Sequence, residues 1–271
     1  MKEYLNFAKT LALEFGEIIR TGYYSSSISY ESKISHVDLV SNVDKEVEEK
    51  SKQRILEKYP NHKFIAEEAV SVGNPCQLTE SPTWILDPID GTTNFINKFP
   101  FCCYSLGFYV DKQAEIGVVY NPILKDMYYA IRGGGSFRND KPIKVSTNFD
   151  LKNSLILSDW GNDRDPDLIR IKTDNFENIV MHSRGVRSMG SAALHMCFVA
   201  SGASDAFFEY GIHCWDLAAG RLIVEEAGGI CTLLDGSPLD LMKRQILACN
   251  NILLIPQITK LIKSISYPPD Q

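Results

Sequence analysis

The stretch Trp84-Ile85-Leu86-Asp87-Pro88-Ile89-Asp90-Gly91-Thr92-Thr93-Asn94 carries the densest concentration of chemistry in the chain. An apolar run delivers two aspartates three residues apart, and Pro88 fixes the backbone between them. Gly91 then permits a close approach or an unusual φ. Thr92 and Thr93 fall where a helix would begin, so free backbone N–H groups there could hold an anion. Two other stretches repeat the placement of acids at element ends. Phe64-Ile65-Ala66-Glu67-Glu68 is an apolar strand running into carboxylates, and His213-Cys214-Trp215-Asp216 sets an acid at the start of a helix.

Four or five carboxylates converging on one cleft repel one another. Two like charges about 4 Å apart cost on the order of 4 kcal/mol at an effective dielectric near 20. Either their pKa values rise or hard cations neutralise them. The candidate set contains no histidine or cysteine, and all-oxygen donors favour Mg²⁺, Mn²⁺ or Ca²⁺ over zinc. Anion-binding amides beside such a cluster describe metal-assisted phosphoryl hydrolysis, in which one cation acidifies the attacking water and another stabilises the leaving oxygen. Each piece alone has a plainer reading. Asp216 could be an N-cap, Asp44 could equally cap the second helix, Glu67-Glu68 could be a solvated loop, and Asp87-Pro88 a turn. The combination outweighs these, because strand-then-acid occurs twice and D-P-I-D-G-T-T is a specific string.

The elements that must position these residues alternate along the chain. Leu5, Ala8, Leu11, Ala12, Phe15, Ile18 and Ile19 are at helical spacing within residues 4–20, and a Ser/Gly loop follows from Thr21 to Ser29. A second helix is expected from Asp44 to Tyr59, ending near Pro60. Strands are expected at Lys63–Ala66 and Thr83–Leu86, then at Phe101–Val110 and Ala114–Tyr120 paired across a turn at Asp111-Lys112. Met127–Ile131 leads into the turn Gly133-Gly134-Gly135. The second half, from about Lys144, reads as strand Ser154–Leu157, helix Asp165–Thr173, strand Ile179-Val180, helix Ser191–Ser201, strand Ala206–Phe208, and helix Asp216–Ala227 closed by Gly228-Gly229. Interleaved strands and helices indicate an α/β or α+β fold with stacked layers. With no linker or repeat, the halves (about 1–143 and 144–271) are expected to form one domain spanning 1–271.

Composition narrows the partners and the setting. Apolar residues at 44% and charged residues at 23% suit a globular enzyme, and a net charge of −6 without any basic run argues against nucleic acid. Seven cysteines lie at 76, 102, 103, 197, 214, 231 and 249 with no C-x-x-C pair, which argues for reduced thiols and a reducing compartment. No apolar run is long enough to span a bilayer, and the N-terminus lacks a signal peptide's apolar block. The expected location is the cytoplasm, with no membrane partner.

At Glu67-Glu68, at Asp87-Pro88-Ile89-Asp90-Gly91-Thr92-Thr93, and at Trp215-Asp216-Leu217-Ala218-Ala219-Gly220 with Glu226-Ala227-Gly228-Gly229, the chain resembles the inositol monophosphatase family of lithium-sensitive, magnesium-dependent phosphatases. The order and spacing of the blocks fit as well, and the similarity runs from the first helix to about Ile255. The resemblance implies a layered alpha-beta-alpha-beta-alpha sandwich and a homodimer. It implies metal ligation by Glu67, Asp87, the carbonyl of Ile89, Asp90 and Asp216, with Glu68 standing behind that set. Catalytic work would fall to Thr92, Asp44 and Glu67, with Thr92 positioning the nucleophilic water and Asp44, in the stretch Asp38–Asp44, supporting it. Substrate contacts would come from Glu67, Ile89, Asp90, the amides of Gly91, Thr92 and Thr93, and from Gly190-Ser191-Ala192, Glu209 and Asp216. Mg²⁺ is the implied cofactor, Mn²⁺ an alternative, and Li⁺ and Ca²⁺ inhibitors.

The string Glu209-Tyr210-Gly211-Ile212-His213-Cys214-Trp215-Asp216 resembles the inositol-selective branch, where Glu209 would accept hydrogen bonds from ring hydroxyls. Asn162 departs from the serine expected there, which bears on fine specificity. His195, His213 and Cys214 read as packing residues. The first reading is therefore Mg²⁺-dependent hydrolysis of inositol monophosphate. The second is another sugar phosphate, fructose bisphosphate or a 3′-phosphonucleotide on the same fold. A third, a non-catalytic metal- or phosphate-binding protein, is opposed by the presence of every residue the chemistry requires.

Overall fold

A computed structural model describes residues 1–33 and 39–270 of the chain; Asp38 of the Asp38–Asp44 stretch lies outside the described residues. The first helix, α1 (Lys2–Tyr24), buries Ala8, Leu11, Ala12, Phe15 and Ile19 at the expected spacing and runs four residues past the expected end because Tyr23 continues the buried stripe. An antiparallel pair, β1 (Tyr30–Ser32) and β2 (Leu39–Ser41), leads into α2 (Asn42–Lys58). Ser41, not Asp44, caps α2. Asp44 is the third helical residue, and its carboxylate accepts the Ser41 N–H in a capping box.

The chain then builds a seven-stranded sheet. β3 (Lys63–Ala66), α3 (Glu67–Ser71), β4 (Thr83–Asp90) and α4 (Thr92–Ile96) precede a meander of β5 (Cys103–Val110), β6 (Gln113–Asn121), β7 (Asp126–Ile131), β8 (Gly135–Arg138) and β9 (Lys141–Pro142). Spatial order follows chain order, with β3 and β4 parallel and every later pair antiparallel. Asp111 and Lys112 both adopt positive φ in the tight β5–β6 connection, which matches the right-handed twist of a hairpin. Alternate residues divide the sheet between two cores. Trp84, Leu86, Tyr104, Leu106, Phe108, Ile116 and Val118 face α1 and α2. Ile85, Cys103, Tyr109 and Val119 face the opposite way.

The second half supplies β10 (Leu155–Ser158), α5 (Pro166–His182), β11 (Gly185–Arg187), α6 (Ala192–Ala200), β12 (Ala206–Tyr210), α7 (Cys214–Glu226), β13 (Ile230–Thr232), β14 (Gln245–Cys249) and α8 (Ile255–Thr259). Its sheet has the order β11-β10-β12-β14-β13, parallel from β11 to β12 and antiparallel beyond. Helices α6 and α7 fill the space between the two sheets: Phe207, Ile246 and Ala248 share a core with Ala193, Met196, Leu217 and Ala218. Ile156, Phe208 and Leu247 pack on the far side with Ile179 of α5 and Ile258 of α8. The result is the expected five layers, α1/α2, sheet, α6/α7, sheet, α5/α8. Helix α7 lies so close to the first sheet that a Cβ on Gly117 would sit 2.4 Å from the Ala219 carbonyl oxygen.

One expected strand is absent. Ile179-Val180 lies inside α5, which continues well past Thr173 to His182. Lys172, Asn175 and Ile179 form its buried stripe at helical spacing while Val180 is exposed, so two adjacent β-branched residues were overruled by a period of 3.6. The strand that pairs there is β11, a short Gly-Val-Arg segment with no sequence signal of its own. Among the described residues no helix is long and apolar enough to cross a membrane.

Candidate active site

Asp87 and Asp90 are three apart, which in a regular strand would set them on opposite faces. They share a face because β4 carries a bulge. Asp87 pairs with Ser105 and Asp90 with Cys103, so three steps on β4 oppose two on β5. Pro88, which has no N–H to donate, sits inside that irregularity. Both carboxylates therefore point toward the α6/α7 layer, where Asp216 meets them from the first turn of α7. One oxygen each of Asp87, Asp90 and Asp216 lies within 4.8 Å of the others, and all three side chains are buried or nearly so.

Asp216 is held by the His213 N–H at 2.6 Å, the same third-residue arrangement that Asp44 makes with Ser41, so it is not an N-cap. Asp90 Oδ2 accepts from Ser191 Oγ and from the Ala193 N–H, each at 2.7 Å, at the start of α6. Its other oxygen is left for the cluster. Asp87 Oδ1 is buried with no hydrogen-bond partner among the described residues. A buried, unpaired anionic oxygen is costly unless a cation satisfies it, so the donor set fits a hard divalent ion.

The titration behaviour has the same origin. Burial, then Glu67, Asp90 and Asp216, hold the Asp87 carboxyl well above the usual range. Burial and the neighbouring Asp216 push Asp90 up to about 7, against the stabilising bonds from Ser191 and Ala193. Asp216 is raised to about 6 by burial, with the His213 side chain and amide pulling the other way. Burial and mutual repulsion thus disfavour three bare negative charges at this point.

Glu67, which opens α3, adds to the field on Asp87 and Asp216 but lies outside the tight trio. Its Oε1 is 2.7 Å from Lys33 Nζ, and the same ammonium is 2.6 Å from Glu68 Oε1. Burial disfavours the Lys33 charge, but Glu67 and Glu68 outweigh it and raise its pKa. Glu68 is thus held beside Glu67 through a shared cation. Glu48 of α2 fixes this corner from below by accepting the N–H groups of Glu68 and Ala69 at 2.7 Å each.

Sequence reasoning missed Lys33 and Glu48. Glu48 had a readable signal, since it shares the stripe of Asp44, Ser51 and Ile55 and so had to be buried. Lys33 had none, since its partners lie more than thirty residues away.

Beyond the cluster, Gly91 takes φ +92 and turns the chain into α4, leaving the first-turn N–H groups of Thr92 and Thr93 without partners inside that helix. A Cβ at Gly91 would lie 2.9 Å from the Gly190 carbonyl oxygen, so only glycine lets these two loops meet. Asn94 holds them together, its Nδ2 donating to Phe101 O at 2.8 Å and Met189 O at 2.6 Å. Thr92 Oγ1 lies 3.0 Å from both Asp44 Oδ1 and the Ile89 carbonyl oxygen. Asp44 is fully buried; burial raises its pKa to about 6, offset by its bonds to Ser41 and Thr92.

On the far side of Asp90, Gly190 donates its N–H to Asp159 at 2.9 Å, and Ser191 and Ala192 begin α6. Glu209 on β12 is buried with Oε2 unpaired among the described residues, and burial followed by Asp159, Asp216 and Asp90 holds its carboxyl well above the usual range. The turn at Gly161-Asn162 passes beside it, a Cβ on Gly161 falling 3.7 Å from Glu209 Oε1. His195 is a buried packing residue between the rings of Phe101 and Phe207, its Nδ1 3.2 Å from Asp159 but poorly aligned to bond it. His213 does more than pack, bonding Asp270 through Nδ1 at 2.7 Å and stacking on Trp215. A separate cavity of about 530 Å³, lined by Ser146, Asn148, Arg184, Arg187 and Asp205, contains none of these groups.

The profile described as the Inositol monophosphatase family matches residues 1–267. Inositol monophosphatase 1 of Homo sapiens is 43% identical over 270 residues, covering 99% of this chain and 97% of its own. The solved inositol monophosphatase from Anabaena (Nostoc) superposes with a TM-score of 0.82 at 32% identity, covering 96% of this chain and 95% of that one. SaIMPase-II with inositol monophosphate bound superposes at 0.78 and 31% identity, covering 96% and 93%; the same protein is also solved with 2′AMP.

Proposed function

This chain belongs to the inositol monophosphatase family, metal-dependent hydrolases of phosphate monoesters, and from that premise we propose that it converts inositol monophosphate to inositol and inorganic phosphate. The observation that carries this reading is the buried trio Asp87, Asp90 and Asp216 next to the start of α4, with the buried Glu209 near enough to Asp216 and Asp90 to feel their charges. Mg²⁺ is the cation proposed, with Mn²⁺ able to replace it, ligated by Glu67, Asp87, the Ile89 carbonyl, Asp90 and Asp216. When bound, such cations supply the Lewis acidity that polarises phosphoryl oxygens and acidifies water.

The chain's own groups do the rest. The N–H groups of Gly91, Thr92 and Thr93 hold the phosphate oxygens, and Thr92 orients the attacking water. Its hydroxyl donates to Asp44 Oδ1, which leaves its lone pairs free to accept an O–H from that water. The water oxygen bonds to phosphorus as the P–O ester bond breaks; one proton of the water ends on the departing alkoxide, giving the alcohol, and the other stays with inorganic phosphate. Glu67 backs the water's side of the site, with Glu68 beside it. Glu209, Asp90, Asp216 and the Gly190-Ser191-Ala192 turn receive the polyol, with Glu209 accepting hydrogen bonds from its hydroxyls.

We further propose one catalytic domain over residues 1–271, because the site draws Asp87 and Asp90 from one half and Asp216 and Glu209 from the other. A homodimer in the cytoplasm, Li⁺ and Ca²⁺ as inhibitors, and no nucleic-acid or membrane partner complete the reading. The net charge of −6 supports the exclusion of nucleic acid.

The 2′AMP complex of SaIMPase-II favours a second reading, a wider phosphatase that admits nucleotides. A panel of inositol 1-phosphate, fructose 1,6-bisphosphate, 2′-AMP and 3′-phosphoadenosine 5′-phosphate with Mg²⁺ separates the two. The expected order places inositol 1-phosphate highest in kcat/KM, by tenfold or more if each lost polyol contact is worth about 1.4 kcal/mol. A nucleotide turned over faster would overturn the substrate assignment and leave the hydrolytic centre standing.

A further inference from the structure

Two thiols outside the carboxylate trio stand close enough to be joined. Cys76 Sγ and Cys214 Sγ are 3.5 Å apart and both are buried. A disulfide places its sulfurs about 2.05 Å apart, so closing the gap takes roughly 1.5 Å of combined movement. The remaining five cysteines are also reduced and buried, but Cys102 and Cys103, the adjacent pair, point into opposite cores.

The positions of the two sulfurs give the bond a consequence. Cys214 is the first residue of α7, two before Asp216. Cys76 belongs to the irregular segment that links α3, which opens with Glu67, to β4, which ends at Asp90. Residues 71–75 and Gln77 around it are exposed, and nothing packs within 4 Å of where a Cβ on Gly73 would lie. Cys76 itself sits in the core with Val70 and Leu78 packed beside it, so it meets an oxidant when the exposed stretch next to it opens locally.

We propose that Cys76 and Cys214 form a reversible disulfide that switches the enzyme to a low-activity state. The oxidant is a small soluble disulfide, oxidised glutathione being the probe. The Cys76 thiolate attacks one sulfur of the probe and expels the first glutathione. The Cys214 thiolate then attacks the Cys76 sulfur and expels the second. Two protein thiols lose two electrons, the probe's S–S bond gains them, and the two thiol protons end on the two released glutathiones. Helix α7 is clamped against the first sheet, so the exposed segment on the Cys76 side takes up the movement and pulls on α3, whose Ala69 and Val70 carbonyls accept the Asn74 and Gly73 N–H groups, shifting Glu67 relative to the aspartate trio. Misplacement of about 1 Å costs on the order of 10²-fold in rate. The loss of activity rests on the metal-binding role proposed for Glu67; the formation of the bond does not.

The test treats the full chain with oxidised glutathione, digests it without reduction, and identifies cross-linked peptides by mass spectrometry beside an activity assay. The expected result is a Cys76–Cys214 peptide pair lighter by two hydrogens, a fall in activity of 10- to 100-fold, and recovery with dithiothreitol. Cys76→Ser, or Cys76→Ala where the serine variant is unstable, keeps its activity through the same treatment. Glutathione found only as a mixed disulfide, or equal loss of activity in the Cys76 variants, overturns the proposal. A cross-link that forms with activity unchanged overturns the switch and leaves the metal-binding reading untouched.

Discussion

Asp90→Asn is expected to lower kcat by on the order of 10³-fold while leaving the fold intact. Asp90 Oδ2 already accepts Ser191 Oγ and the Ala193 N–H. The amide N–H can only donate, so an asparagine must turn its oxygen toward Ala193 and its NH₂ toward Asp87 and Asp216. Two donor hydrogens then stand where a cation would bind. A bound cation contributes several kcal/mol of transition-state stabilisation, and a loss of about 4 kcal/mol is about three decades in rate at 1.36 kcal/mol per decade. The substitution also removes a buried negative charge from a repelling group, so the metal-free protein should unfold no more easily than the parent. Steady-state kinetics across a Mg²⁺ titration, with thermal unfolding as the control for folding, measure both. Parental turnover in this variant would refute the assignment of Asp90.

Thr92→Ala carries the second largest expected effect, a drop of roughly 10²- to 10³-fold in kcat with KM little changed. The Thr92 hydroxyl donates to Asp44 Oδ1 at 3.0 Å, with the Ile89 carbonyl oxygen also 3.0 Å away, and belongs to none of the groups proposed to anchor the polyol. Its loss should leave cation affinity near the parental value, which calorimetry can measure, because the carboxylates of the trio are untouched. Thr92→Ser keeps the hydroxyl and should recover most of the rate. A serine variant as slow as the alanine variant would show that the methyl group, not the hydroxyl, matters, and the water-orienting role would fall.

The string from Trp84 to Asn94 made the centre legible because each residue there solves a local problem. The apolar run, the proline, the glycine at positive φ and the threonines at a helix start are all visible one residue at a time. What could not be read was the bulge. Spacing alone sets Asp87 and Asp90 on opposite faces, and only the pairing with Ser105 and Cys103 shows that they share one. Asp44 and Asp216 were legible as acids near helix starts but were off by three positions as caps, since Ser41 and His213 precede them.

Long helices and the β5–β6 hairpin followed from periodicity and a two-residue turn. The strand expected at Ile179-Val180 failed because a dipeptide has no period. Lys33 was invisible for a different reason, as its ion pairs with Glu67 and Glu68 exist only once the residue after β1 is brought against the start of α3.

The central claim is that the carboxylates of Asp87, Asp90 and Asp216, with Glu67 beside them, hold divalent cations. A crystal grown with Mn²⁺ and inorganic phosphate tests it through the anomalous signal of the metal. The expected result is at least one strong peak within about 2.2 Å of oxygens from that trio, with phosphate density against the Gly91–Thr93 amides. Strong peaks elsewhere and none among these aspartates, in crystals saturated with Mn²⁺, would contradict it.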